Sequence, residues 1–193
     1  GVIAKGNEAA GFVGSETTFI LVQRFVKNFS IPVYAQGGIG LHTASACYAA
    51  GARGVVLDSQ LLLARESSLP EDVKTRLSAL DGSETTCLGA EIGKWVRVCS
   101  RFGSAAVREL EAVEESLAGR ENMREEDLER AWIEAVASVA ASPAGRTGLL
   151  FLGQDVGLAA RSLGGVVGGR DSRVRHEHEQ LRQESLDPLN STL

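Results

Sequence analysis

The sequence is short of several things, and each shortage removes a class of protein. It has no basic excess: 20 Lys and Arg stand against 25 Asp and Glu, a formal net charge of -5. A surface that neutralises a phosphate backbone needs the opposite balance, so nucleic acid is excluded as the main partner. No apolar run approaches the roughly 18 residues needed to cross a bilayer. The first residues lack the basic start and long apolar core of a secretory signal, so the address predicted is cytoplasmic. Only three cysteines occur, Cys47, Cys87 and Cys99. They are far apart, odd in number and in no zinc-binding pattern, which predicts free thiols in a reducing compartment. Of the three histidines, His176 and His178 are two apart and do not share a helical face, and no third ligand accompanies them. No metal site is expected. Aromatic residues make up 5% of the chain, and Trp95 and Trp132 both read as core residues rather than cofactor contacts.

What is present is an ordinary globular composition, 44% hydrophobic and 23% charged, with 22 glycines. The chain starts at Gly1, already in an apolar strand-like run, Gly1-Val-Ile-Ala4, which predicts a piece of a longer protein. A polar, glycine-bearing loop follows from Lys5 to Gly14. Val22, Phe25, Val26 and Phe29 recur at helical spacing, predicting a helix over 15–28 with Ser15 as its cap. Ile31 to Ala35 is a second strand, Gln36-Gly-Gly-Ile-Gly40 a turn, Thr43 to Ala50 a small-residue helix ended by Gly51, and Arg53 to Leu57 a third strand. A further helix runs from Ser67 or Ser68 to Leu80. Apolar strands alternating with helices mark a parallel sheet covered by helices.

The alternation stops near Asp81. Thr85 to Leu88 and Trp95 to Cys99 alternate like strands. Beyond Gly103 the pattern turns helical, through Ala106, Leu110, Val113 and Leu117. A second helix is opened by a capping box of Asn122 and Glu125, continues through Trp132 and is broken at 142–145. An apolar run over 148–152 leads to a helix from Gly153, ended by glycines 164–169. The charge-rich stretch from Glu109 to Arg130 reads most simply as a solvated helical surface. The organisation predicted is α/β: residues 1–80 as about three βα units, 81–169 as a mainly helical extension, and 170–193 as a charged tail or linker, disordered at its end.

The strand-to-helix turn at Gln36–Gly40 is where chemistry is most legible. Gly37 and Gly38 let the backbone approach a ligand closely, and amides at the following helix start point outward to bind an anion, phosphate above all. A tight turn needs glycine in any case, so the motif alone is ambiguous. The next strand ends at Asp58-Ser59, and barrels of eight βα units commonly share a phosphate site between the loops after their last two strands. Ser59 could offer both hydroxyl and amide. Lys5 or Asn7, in the first loop, would lie at the same mouth. His42 reads as a surface residue at the start of a helix more readily than as a phosphate contact.

Three segments together, Lys5-Gly-Asn-Glu-Ala-Ala-Gly11, Val33-Tyr-Ala-Gln-Gly-Gly-Ile-Gly40 and Ala49-Ala-Gly-Ala-Arg-Gly-Val-Val-Leu-Asp-Ser59, resemble the nitronate monooxygenase (2-nitropropane dioxygenase-like) family. That family includes the FMN-dependent enoyl reductases of polyketide and fatty-acid synthases. The resemblance covers Gly1 to about Leu69; Gly153-Gln-Asp-Val-Gly-Leu-Ala159 looks more loosely like members attached to such synthases. It implies the C-terminal portion of a (β/α)8 TIM barrel, strands six to eight, followed by the extension. It implies FMN, with NAD(P)H to re-reduce it, and Lys5, Gly6, Ala9, Ala10, Gln36, Gly37, Gly38, Asp58 and Ser59 around the cofactor. Its partners would be a small or carrier-bound acyl substrate and synthase components.

Two residues depart from the family pattern. Many members carry a histidine where Phe12 stands, and phenylalanine cannot exchange a proton, so no catalytic residue is assigned. This suits a reductase, which needs hydride plus any proton source, better than a monooxygenase. Asp58 stands where many relatives have glycine, and is expected to turn away from a phosphate, toward Arg53 or Arg65, or to offer its backbone alone. Since three strands do not close a barrel, the chain alone is expected to be inactive. Two other readings stay open: a non-catalytic synthase interaction module with a degenerate barrel end, and a non-flavin phosphate-binding barrel enzyme.

Overall fold

Parallel strands need their hydrogen bonds completed by neighbours and both faces covered, and the first part of the chain meets half of that requirement. The computed structural model describes residues 1–100, 105–120, 122–141 and 149–158. Strands β1 (Val2–Lys5), β3 (Val33–Gln36) and β4 (Gly54–Val56) form a parallel sheet in the order β1-β3-β4. Lys5 stands opposite Gln36, and Gln36 opposite Val56, so all three strands end at one level. Helices α1 (Thr18–Asn28) and α2 (Leu41–Ala49) cover one face, and Ala4, Val22, Val33, Ala35, Ile39, Cys47 and Ala52 are buried between the layers. On the other face Ile3 is 50% exposed.

Local chemistry sets the helix starts, and explains why they differ from the periodicity. Helix α1 begins at Thr18, not Ser15, because the first loop holds Ser15 and Glu16 in a bend and Thr17 extended. Asn7 donates from its side chain to the Ser15 carbonyl and from its backbone to that of Glu16, while the Thr18 amide donates to the Glu8 carboxylate. Helix α2 begins at Leu41, two residues early, because the Thr43 hydroxyl accepts from the Gly40 amide at 2.7 Å. Helix α3 (Glu71–Ser78) begins late: Pro70 keeps Leu69 out of the helical region. Between β4 and α3, residues Ser59–Leu63 make a turn of 3-10 helix.

The stretch after Asp81 opens with the two strands that its alternation predicts: β5 (Thr85–Leu88) and β6 (Val96–Cys99) form an antiparallel hairpin. A two-residue strand, β2 (Gly11–Phe12), comes across from the first loop to pair with β6, Phe12 opposite Val96. This three-stranded sheet therefore joins the two sides of the expected boundary at residue 80. Helices α4 (Ala105–Ala118) and α5 (Glu125–Ala141) pack on it, burying Val96, Val98, Leu110, Leu117, Trp132, Val136 and Val139. Helix α5 is started by Arg124, whose carbonyl takes the Asp127 and Leu128 amides while its side chain pairs with Asp127, rather than by Asn122.

Arg97 ties the two sheets together. It is 7% exposed, and its guanidinium donates to the Asn7 carbonyl and, at 2.9 Å, to the Thr85 hydroxyl. A smaller core of Leu63, Leu77, Leu80, Cys99, Leu152 and Val156 closes the gap beside them. The expected tail over 170–193, the His176–His178 pair, the breaker at 142–145 and the glycines at 164–169 lie outside the described residues. No described helix is long and apolar enough to cross a membrane.

Trp132 is the largest fully buried side chain. Truncating it removes the centre of the second core, so Trp132→Ala should lower unfolding free energy by about 3–5 kcal/mol. Urea denaturation followed by circular dichroism checks this.

Candidate functional site

The parallel strands deliver three loops to one place. The first follows β1. The Gly6 amide donates to the Gln36 carbonyl, and a Cβ on Gly6 would lie 2.1 Å from the Thr18 hydroxyl and 2.2 Å from its amide. Only glycine fits against the start of α1. The buried Thr18 hydroxyl lies within 3.0 Å of a Glu8 carboxylate oxygen and 2.9 Å from the carbonyls of Gln36 and Gly37. With a single proton to donate, it locks this loop to the next.

The second loop is the glycine turn after β3. Gly37 and Gly38 have φ of +104° and +65°, and a Cβ on Gly37 would meet the Ala9 amide at 2.9 Å. The turn thus needs glycine both for its backbone angles and for the approach of the first loop. The third loop follows β4. Asp58 accepts from the Ser59 amide, from Gln36 Nε2 at 3.0 Å and, at 3.4 Å, from the Ala10 amide. The Asp58 amide is itself taken by Gln60 Oε1 at 2.9 Å.

A fourth segment, far along the chain, closes the cluster. Gly153 donates its amide to the Ser59 hydroxyl at 3.0 Å, and Gln154 donates to the Glu8 carbonyl at 2.9 Å. Asp155 is 2% exposed, and its Oδ2 accepts from the Ile39 amide at 2.9 Å and from Gln60 Nε2 at 2.6 Å. Its Oδ1 is buried with no partner. Burial pushes the Asp155 carboxyl up to about 6, and the charge of Asp58 adds to that, against the backbone amides of Ile39 and Gly38, which favour the charged form. The Ile39 amide of the turn therefore holds a carboxylate oxygen already, contributed by the protein itself.

With this geometry in view, the chain can be set beside known proteins. The family model described as nitronate monooxygenase matches residues 1–161. The chain belongs to the nitronate monooxygenase family. Among curated relatives, a (3aS,4S,5R,7aS)-5-hydroxy-7a-methyl-1-oxo-octahydro-1H-indene-4-carboxyl-CoA dehydrogenase of Rhodococcus jostii is 36% identical over 89 residues, 44% of this chain and 24% of that protein. The putative monooxygenase Rv1533 of Mycobacterium tuberculosis is 35% identical over 99 residues, 50% of this chain and 26% of that one. FabK from Thermotoga maritima superposes with a TM-score of 0.58 at 26% identity, over 94% of this chain and 56% of its own. The chain thus spans about a quarter of the curated relatives it matches and little more than half of this solved structure.

Against that family pattern, the nitronate monooxygenase loops of this chain gather the residues singled out from the sequence. Gly6, Ala9, Ala10, Gln36, Gly37, Gly38, Asp58 and Ser59 all take part in the loop contacts above. Lys5 lies half-buried at the end of β1, its ammonium pKa pushed down by burial and drawn back by Asp58. Three placements differ from expectation. Asp58 turns into the loop cluster, toward Gln36 and Ala10, instead of out to Arg53 or Arg65, because those amides and the nearby ammonium satisfy its charge. Ser59 is 6% exposed, and both its amide and its hydroxyl are engaged within the protein. Asn7 is committed to the Ser15 carbonyl. Phe12, in β2, is 43% exposed and lines a groove of about 320 Å³ with Trp95, Trp132 and Ile133. His42 is exposed on α2. Among the described residues no cluster of His, Cys, Asp and Glu could hold a metal.

Asp155, Gln60 and Thr18 were not singled out from the sequence. Asp155 lies 116 residues from Ile39, and no spacing rule connects them. The one signal was the glycine of Gly153-Gln-Asp155: a Cβ there would lie 2.7 Å from Asp155 Oδ1 and 3.0 Å from the Glu8 carbonyl.

The Asp155 titration makes a prediction. The unfolded chain releases this proton near 3.8 and the fold near about 6, so the fold holds it more tightly. Its stabilising effect is complete below the unfolded value and is lost as pH rises through about 6, on the order of 3 kcal/mol in all. Asp155→Asn should flatten that part of the profile. Urea midpoints between about pH 4 and pH 7, wild type against variant, test it.

Proposed function

We propose that the chain forms the phosphate-gripping end of an FMN-dependent oxidoreductase, namely the last three βα units of a (β/α)8 barrel with an extension beyond about residue 80. One observation carries the reading: the Ile39 amide of the glycine turn and Gln60 Nε2 converge on one carboxylate oxygen. A donor set that holds a carboxylate in a buried site fits a phosphate by the same chemistry. The partial barrel is supported by the parallel sheet, whose outer strands β1 and β4 each pair on one side only among the described residues, and by the exposed Ile3 on the face away from the helices. Further strands would pair with those edges and cover that face.

In this reading the glycine turn and Gln60 orient the FMN phosphate, and the close-packed first loop, through Gly6, Ala9 and Ala10, lies beside the ring. Gln36 and Asp58, joined at 3.0 Å, fix the strand ends beneath it. Bound FMN would supply hydride transfer to or from the substrate, with NAD(P)H as electron donor. Lys5 brings a proton-exchanging group to the end of β1, and burial eases loss of its proton. Phe12 brings none, which favours an enoyl reductase acting on an acyl chain over nitronate oxidation. A carrier-bound substrate, synthase partners and a cytoplasmic setting belong to the same proposal.

The test is flavin binding. The whole polypeptide containing these residues should quench FMN fluorescence and bind riboflavin, which lacks the phosphate, at least about tenfold more weakly. Gly37→Val should abolish the difference. The 193-residue chain alone should bind FMN weakly. Equal binding of FMN and riboflavin would remove the phosphate seat, and tight stoichiometric binding by the chain alone would remove the partial barrel.

A further inference from the structure

The seat assigned above to a phosphate is filled in this structure by the protein's own carboxylate. We infer that Asp155 is a displaceable internal occupant of that seat, which an incoming phosphoryl or similar doubly charged oxyanion must push out. The inference rests on the phosphate reading of the turn, and adds to it a control on who enters.

Three features make Asp155 an occupant rather than a strut. Its grip is one-sided: Oδ2 has the Ile39 amide and Gln60, whereas Oδ1 is buried with no donor. A tetrahedral dianion has more oxygens to share among the same donors, and twice the charge for the amides to act on. Its charged surroundings disfavour it too. Asp58, from the loop after β4, faces it with like charge; Lys5, at the end of β1, answers Asp58; and the Glu8 carboxylate of the first loop is spent on Thr18. Finally, Asp155 sits in the turn just before the helical residues from Val156, so its side chain can rotate away while the backbone bonds of Gly153 and Gln154 stay in place. Gly153, pressed within 3.0 Å of the Glu8 carbonyl at its would-be Cβ, gives the backbone the closeness that brings the carboxylate in.

Displacement has a signature that a structural role lacks. Sulfate is the probe, since it remains a dianion across the pH range in which Asp155 titrates. Calorimetric titration of sulfate into the 193-residue chain should show Asp155→Ala binding about tenfold tighter than wild type at about pH 8, as expected when a filled seat is emptied. The gap should shrink at about pH 5, where wild-type Asp155 takes up its proton. Asp155→Asn should fall between. If both variants keep their fold by circular dichroism and bind sulfate no more tightly than wild type, the inference is overturned. Should the variants fail to fold, the wild type decides by nuclear magnetic resonance. On adding sulfate, the Asp155 carboxyl carbon and the Ile39 amide should shift together, and sulfate binding that leaves the Asp155 carboxyl unmoved overturns the inference.

FMN separates this result from the underlying reading. In the whole polypeptide, FMN gaining affinity in Asp155→Ala while riboflavin does not supports both. Sulfate gaining affinity while FMN binds no better than riboflavin supports the occupied seat and removes the flavin. FMN binding wild type and Asp155→Ala equally keeps the flavin and removes the occupant.

Discussion

The loop cluster is organised around one buried carboxylate and the backbone beside it. Asp155 Oδ2 takes the amide at the heart of the glycine turn and the side chain of Gln60, so it joins the loop after β3 to the loop after β4. The residues just before it fasten the other loops: Gly153 holds Ser59, and Gln154 holds the Glu8 carbonyl. Four segments remote in sequence thus meet around a single charge. A buried carboxylate with one oxygen unpaired is costly to keep, and burial accordingly drives its pKa up to about 6. Its retention at such a cost fits a position where an anion is wanted.

The glycines make this convergence possible by what they leave out. A methyl group on Gly6 would collide with the first residue of α1, and one on Gly37 with the Ala9 backbone. Each contact sets the spacing between neighbouring loops at backbone distance. Thr18 occupies the space so created, its hydroxyl within reach of Glu8 and of the Gln36 and Gly37 carbonyls. Close packing and polar satisfaction are here the same constraint, since no side chain larger than hydrogen leaves room for these hydrogen bonds.

The parts of the fold written in local pattern were legible in the sequence. The three parallel strands, the glycine turn and the strands at Thr85–Leu88 and Val96–Cys99 each follow from alternation, apolar runs or turn chemistry over a few residues. Helix starts were less so, because Asn7 and Glu8 fix the beginning of α1 from outside the helix. Least legible were contacts spanning most of the chain. Arg97 reads as one residue of an alternating strand, yet it is buried against the Asn7 carbonyl, 90 residues earlier. Strand β2 has two residues, too few for any periodicity, and exists only because β6 offers an edge. Asp155 carries no local mark of its partner at all.

The same long-range pairing gives Phe12 its meaning. By family resemblance this position belongs to a proton-exchanging histidine. Here its backbone is stitched to Val96, and its ring lines the groove with Trp95, Trp132 and Ile133. The residue is therefore part of the join between the two sheets, where its exposed ring lies beside other apolar groups. Lys5, on another element, is half-buried and shifted toward releasing its proton. In the oxidoreductase reading proposed above, the absence of an imidazole at Phe12 weighs against a step that strips a proton from carbon, and not against a hydride transfer followed by one proton.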